Sequence, residues 1–123
     1  MKKAPHVLFL ALVAAALAQA LWQHERLPER VASHFNAAGT PNGWMTRDGQ
    51  TAWHLGVVLF IAALFEGIAW AGAHLPPELV NLPHRDYWLT PERRAATNAW
   101  LGGMLRLLGG ALMVFFIVLF HLV

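Results

Sequence analysis

The chain has 123 residues, of which 57% are apolar and 13% charged, against roughly 25% charged in an ordinary soluble domain. A small water-soluble unit cannot hide so much apolar surface, which speaks against a soluble enzyme or a DNA-binding domain. The net charge of +2, with no long basic run, gives no sign of a nucleic-acid partner, and the lack of cysteine excludes disulfides and thiolate sites.

A spanning helix needs ~20 mostly apolar residues, and three stretches meet that need. Ala4 to Trp22 carries no formal charge. Trp53 to Ala73 is apolar except for Glu66, with His54 at its edge. Ala99 to Leu122 is apolar except for Arg106 and His121. Each run is far longer than a typical strand of ~5–6 residues. Trp22, Trp53 and Trp100 stand at ends of the runs, where amphipathic rings favour the headgroup region. The first run has a second reading. Lys2-Lys3, the apolar core and Ala18-Gln19-Ala20 resemble a secretory signal with an A-x-A cleavage site, although the run is long for a signal core.

The expected fold is therefore an all-α integral membrane protein, a single domain over 1–123. It has three spans, an outer folded loop over 23–52 and a Pro-rich inner loop over 74–98. Lys2, Lys3, Arg85, Arg93 and Arg94 fall on one side of the spans, and Arg26, Arg30 and Arg47 on the other. Positive residues gather inside, so the N-terminus and second loop are expected on the inner side of the membrane.

In the outer loop, Val31 to Phe35 alternates weakly and can be extended. Asn36 to Gly43 is dense in turn formers, and Asn42-Gly43 reads as a tight turn. Phe35, Trp44 and Met45 give the loop an apolar side, either as a cap on the helix ends or as a ligand surface. In the inner loop, Pro76, Pro77 and Pro83 preclude a continuous helix. Thr90, Pro91 and Glu92 mark a helix start leading into the third span. Tyr87 and Trp88 would sit near headgroup level, and Arg93 and Arg94 would face lipid phosphates or water.

These two loops carry a resemblance. Leu27-Pro28-Glu29-Arg30, His34-Phe35-Asn36, Gly39 and Gly43 resemble the bacterial membrane family called domain of unknown function 1648. Asn81 to Leu89, followed by Pro91-Glu92-Arg93-Arg94, is similar to a run found in many members. Ala32 replaces a usual proline, and His84 a common asparagine. Members usually carry at least one more span, so the resemblance implies a chain that is truncated or atypical. The same domain opens SdpI-type proteins, which give immunity to a secreted killing factor and signal through the membrane. The resemblance thus implies an immunity or envelope-signalling role, with a toxin or signalling protein as partner beside membrane lipids. The expected partner surface comprises His34, Phe35, Asn36, Gly39, Gly43, Trp44, Arg85, Asp86, Tyr87 and Trp88.

No catalytic set is visible: there is no G-x-S-x-G, no H-E-x-x-H and no phosphate-binding glycine loop. His24, His34 and His54 are spaced too widely to make a metal site the first reading, and no cofactor is expected. Gly102, Gly103, Gly109 and Gly110 cluster with Arg106 on the third span, for packing within the chain or for a homo-oligomer face. Glu66 and Arg106 lie at matching depth, roughly 12 Å from the inner surface at ~1.5 Å per residue. The expectation is a buried ion pair between antiparallel helices. The alternative is a protonated Glu66 with Arg106 reaching toward the surface. Charges within a span by default suggest function. The second functional reading is accordingly a small transporter or channel component with a polar path at this pair.

Overall fold

The computed structural model describes residues 3–122; Lys2, counted above among the inner charges, lies outside them. Three helices are long and apolar enough to cross a membrane: α1 (Ala4–His24), α2 (Arg47–His74) and α4 (Arg94–Leu122). Between α1 and α2 runs a hairpin of β1 (Arg30–Phe35) and β2 (Pro41–Thr46). A short 3-10 turn at Pro77–Leu79 and α3 (Arg85–Trp88) fill the segment between α2 and α4. The chain is a multi-pass helical membrane protein, and the two strands are an addition to the all-α expectation.

Each helix starts where its local chemistry allows. Pro5 stands in the first turn of α1, where its missing N–H costs no bond. α2 begins ahead of the apolar run because Thr46 caps it, its Oγ1 accepting from the Gly49 N–H at 3.0 Å. Asp48 in that first turn complements the helix dipole. The turn leading into α4 hangs on the Thr90 carbonyl, which accepts from the N–H groups of Arg93 and Arg94. The Thr90 hydroxyl does not cap. It donates back to the Tyr87 carbonyl at 3.3 Å.

The hairpin corrects the expected turn. Asn42 and Gly43 lie inside β2, and the chain reverses instead over Asn36 to Thr40. Asn36 Oδ1 accepts from the N–H groups of Ala38 and Thr40, both at 3.0 Å. Gly39 supplies the left-handed residue, at φ 79°. A side chain that satisfies two turn amides at once, three residues before a glycine, outcompetes the Asn-Gly pair. The antiparallel register runs from Arg30 opposite Thr46 to Phe35 opposite Pro41, with irregularities on either side of His34. Gly43 is needed there, since a Cβ at this position would stand 2.9 Å from His34 Cβ.

α1 and α4 run parallel, and α2 runs antiparallel to both. Phe9, Ala16, Val58, Ile61, Phe65 and Met113 form a narrow core where the three meet. α1, with its signal-like pattern, is part of this core through Phe9 and Ala16. Leu8, Phe60, Leu108, Phe115 and other large apolar residues point outward, as expected of helices solvated by lipid. The glycines of α4 serve packing within the chain. Gly109 faces the rings of Phe9 and Phe65, Gly110 faces Leu12, and Gly103 faces Pro5.

A Cβ at Gly109 would come within 2.8 Å of Phe9 and 2.9 Å of Phe65. Gly109→Ala should therefore lower stability by about 1–3 kcal/mol. Gly67 has nothing within 4 Å, so Gly67→Ala should be neutral or stabilising by up to ~1 kcal/mol. Thermal unfolding of both variants in one detergent checks the contrast.

Candidate functional site

Three places hold the residues singled out by sequence: the helix pair around Glu66, the hairpin, and the segment before α4. Glu66 lies about two turns before the end of α2, and Arg106 about three turns into α4. The structure brings them together. Arg106 Nε donates to Glu66 Oε1 at 3.0 Å and Nη2 to Oε2 at 2.9 Å, a two-pronged guanidinium–carboxylate pair. Both side chains are partly buried, at 21% and 33% exposure. Gly102 lets the Arg106 side chain lie back along α4, since a Cβ there would meet Nη1 at 3.0 Å. Beside the pair an open groove of about 340 Å³ is lined by Trp70, His74 and Asn98 among others.

The hairpin motif mostly builds the hairpin. His34 Nδ1 is hydrogen-bonded to Asn42 Oδ1 at 2.5 Å. Asn36 and Gly39 close the turn, and Gly43 makes room for His34. Trp44 lies under the Arg30 guanidinium, 5.2 Å from it. Phe35 alone of the expected surface residues lines a groove where the hairpin meets α2 and α4. That groove measures about 520 Å³, and its walls include Met45, Trp53, Val57, Phe116 and Phe120. Its polar residues are Ser33 and Gln50, and Gln50 is 6% exposed.

The histidines of this end part company. His24 Nδ1 bonds Thr51 Oγ1 at 2.7 Å, and its Nε2 lies 3.6 Å from Asp48 Oδ1. His54 is buried and stacks on Phe120, with ring centres 3.7 Å apart. Among the described residues no three His, Asp or Glu side chains converge as metal ligands would.

The segment before α4 is tied to itself and to α2. Arg85 Nη1 donates to the Glu78 carbonyl at 2.8 Å. Tyr87 and Trp88 meet edge to face at 4.8 Å, and Thr97 Oγ1 donates to the Trp88 carbonyl at 2.8 Å. Asp86 makes no side-chain hydrogen bond or ion pair among the described residues. Leu89, not singled out by sequence, is the buried anchor at 5% exposure. Arg93 and Arg94, expected side by side at the surface, differ. Arg93 lies 4.0 Å over the Tyr87 ring. Arg94 turns inward, and its Nη2 donates to the carbonyls of Ala73 and Leu75 at the end of α2. A guanidinium there meets both the unpaired acceptors and the negative end of the helix dipole.

Sequence reasoning also missed Gln19 and Gln23. Their amide groups donate to the carbonyls of Ile117, at 2.8 Å, and Phe120, at 3.2 Å. The available signal was a pair of glutamines one turn apart at the polar end of an otherwise apolar helix.

Residues 9–60 match the family described as Domain of unknown function (DUF1648). The matched stretch takes in most of α1, the whole hairpin and the first half of α2; the segment before α4 falls outside it. No curated protein and no solved structure matches the chain.

Two predictions follow from this geometry. Replacing one member of the Glu66–Arg106 pair strands the other, whereas Glu66→Gln/Arg106→Gln removes both charges. Each single change should lower folded yield more than the double, with a coupling of about 1–3 kcal/mol in detergent unfolding; additive losses would contradict this. His84 sits in the left-handed region at φ 56° and ψ 38°, a conformation that asparagine tolerates better. His84→Asn should therefore raise stability by up to ~1 kcal/mol, seen as a higher unfolding midpoint.

Proposed function

We propose that the protein is a non-enzymatic envelope protein of immunity or signalling type. It resides in a bacterial inner membrane with the N-terminus inside and the hairpin outside. The hairpin groove receives an apolar segment of a toxin or signalling partner. The observation that carries this reading is the groove itself. Its volume lies within the ~300–1,000 Å³ range of ligand sites, and apolar side chains from β1, β2, α2 and α4 line it with the buried Gln50. A cleft with only Ser33 and Gln50 as polar groups among aromatic and aliphatic walls suits an apolar guest whose orientation a hydrogen bond or two fixes.

The charge bias supports the orientation, and the DUF1648 match over 9–60 is consistent with placing recognition in the hairpin half. The close pairing of Glu66 with Arg106 supports a positioning role for those residues. Both oxygens and two guanidinium N–H groups are already engaged, which leaves little capacity for a passing solute.

Because the chain has no cysteine, topology can be tested directly. A cysteine at Thr40 should react with an impermeant thiol reagent in intact cells, and one at Glu78 should not; the reverse pattern overturns the orientation. For function, cells lacking the gene should become sensitive to a secreted killing factor. The intact gene should restore resistance, and Phe35→Ala or Gln50→Leu at equal abundance should not. Unchanged sensitivity across a panel of such factors, with altered uptake of a solute, would overturn the immunity reading.

A further inference from the structure

We propose that the end of the bundle where α4 begins binds one anionic phospholipid, with its phosphate on Arg93 and an acyl chain along α4. The inference does not depend on the hairpin's role. It starts from how the cations at this end are used. Of the arginines at this end, Arg85 is engaged by the Glu78 carbonyl, Arg94 by the end of α2, and Arg106 by Glu66; Lys3, at the start of α1, is exposed and lines neither of the cavities below. Arg93 is different. Its guanidinium is fixed flat over Tyr87, and one N–H makes a long contact of 3.4 Å to Thr90 Oγ1. Among the described residues no carboxylate pairs with it, including the neighbouring Glu92. The side chain is exposed. A guanidinium held in place with N–H groups to spare is a ready acceptor for a two-pronged phosphate.

The surface beside Arg93 offers room for an acyl chain. A cavity of about 580 Å³ is lined by Trp88, Arg93, Ala96, Thr97, Trp100 and Leu101, with Arg93 its one charged residue. Ala96 and Trp100 also line a second groove, of about 390 Å³, which continues past Gly103 to Leu107 on one side and Pro5 of α1 on the other. Ala96, Ala99 and Gly103 put no bulky side chain into this groove. From Arg93 to Leu107 the helix climbs about 21 Å, the reach of a headgroup plus one leaflet of hydrocarbon, ~15 Å. Beyond Arg93 and Thr97 the lining is apolar, and Thr97 is already bonded to Trp88. Trp88 and Trp100 are 45% and 65% exposed, suited to the level where chain meets headgroup. Charge is thus offered only at the top and hydrocarbon contact below, which fits a lipid better than a second protein helix.

The test uses the full chain purified in mild detergent and analysed by native mass spectrometry. Phosphatidylglycerol and phosphatidylcholine of identical acyl chains are added at equal concentration. One phosphatidylglycerol should be retained with about a fivefold preference, the equivalent of ~1 kcal/mol for one basic contact. Arg93→Gln should abolish the preference and Arg93→Lys should keep part of it. Arg26→Gln should leave it intact, because Arg26 stacks similarly over Trp22 but at the hairpin end. Trp100→Ala should reduce retention of both lipids. Equal retention of the two lipids by the unaltered chain overturns the proposal without any variant. So does a folded Arg93→Gln protein that keeps the preference. Displacement of the lipid by inorganic phosphate at millimolar concentration would indicate a phosphate site without a chain groove. A dimer that loses its lipid on forming would assign the groove to a second copy.

Discussion

The two-pronged contact between Glu66 and Arg106 is the interaction that the bundle depends on most. Apolar helices in a lipid environment gain little from burying apolar surface against one another, since the lipid tails are as apolar as leucine. Orientation and register must come from close packing and from polar contacts. A guanidinium and a carboxylate meeting through two bonds restrict the rotation of each helix about its axis and their relative height. With that contact made, Phe65 of α2 falls opposite Gly109 of α4 and His54 opposite Phe120. The glycines then let Phe9 of α1 into the same layer. The ion pair fixes the arrangement, and the glycines let it close.

The ends of the helices follow the same logic. A helix end carries carbonyls with no partner within the helix, costly wherever water is scarce. Near the hairpin, Gln19 and Gln23 of α1 reach across to carbonyls of α4. At the other end, Arg94 of α4 reaches across to the last carbonyls of α2. The Arg94 contact meets carbonyls left open at the end of α2, and the two glutamines add side-chain bonds from α1 to α4. These bonds also join segments far apart in sequence, so they act as fasteners of the bundle as well as caps.

What could be read from sequence divides along a physical line. The three helices were legible because a run of some twenty apolar residues has few other uses. The depth argument placed Glu66 and Arg106 level with each other, and their side chains meet. The start of α2 was not legible from hydropathy, because Arg47 to Gln50 are polar and only the Thr46 cap announces them. The hairpin turn was misplaced because Asn42-Gly43 is a strong local signal, while the Asn36 side chain's two bonds appear only once the loop is closed. The different fates of Arg93 and Arg94 could not be seen either. Adjacent residues on a helix point about 100° apart, and which one meets α2 depends on where the proline segment delivers the chain.

The same distinction bears on the motif residues of the hairpin. A pattern of histidine, asparagine and two glycines in a loop invites a binding or metal reading. Here each of them has a structural duty: a side-chain bond to Asn42, a closed turn, a left-handed residue and space beside His34. None of these residues is left over for a ligand, yet together they hold Phe35 and Met45 at a set distance from Trp53 and Phe116. The motif is then the frame of the groove, and under the reading proposed above recognition would fall to the apolar walls and Gln50. Under that reading the walls could change to suit a different guest while the turn, the bulged register and the Thr46 cap stay as they are. The frame needs specific residue types at fixed spacing. The walls need only be apolar and of suitable size.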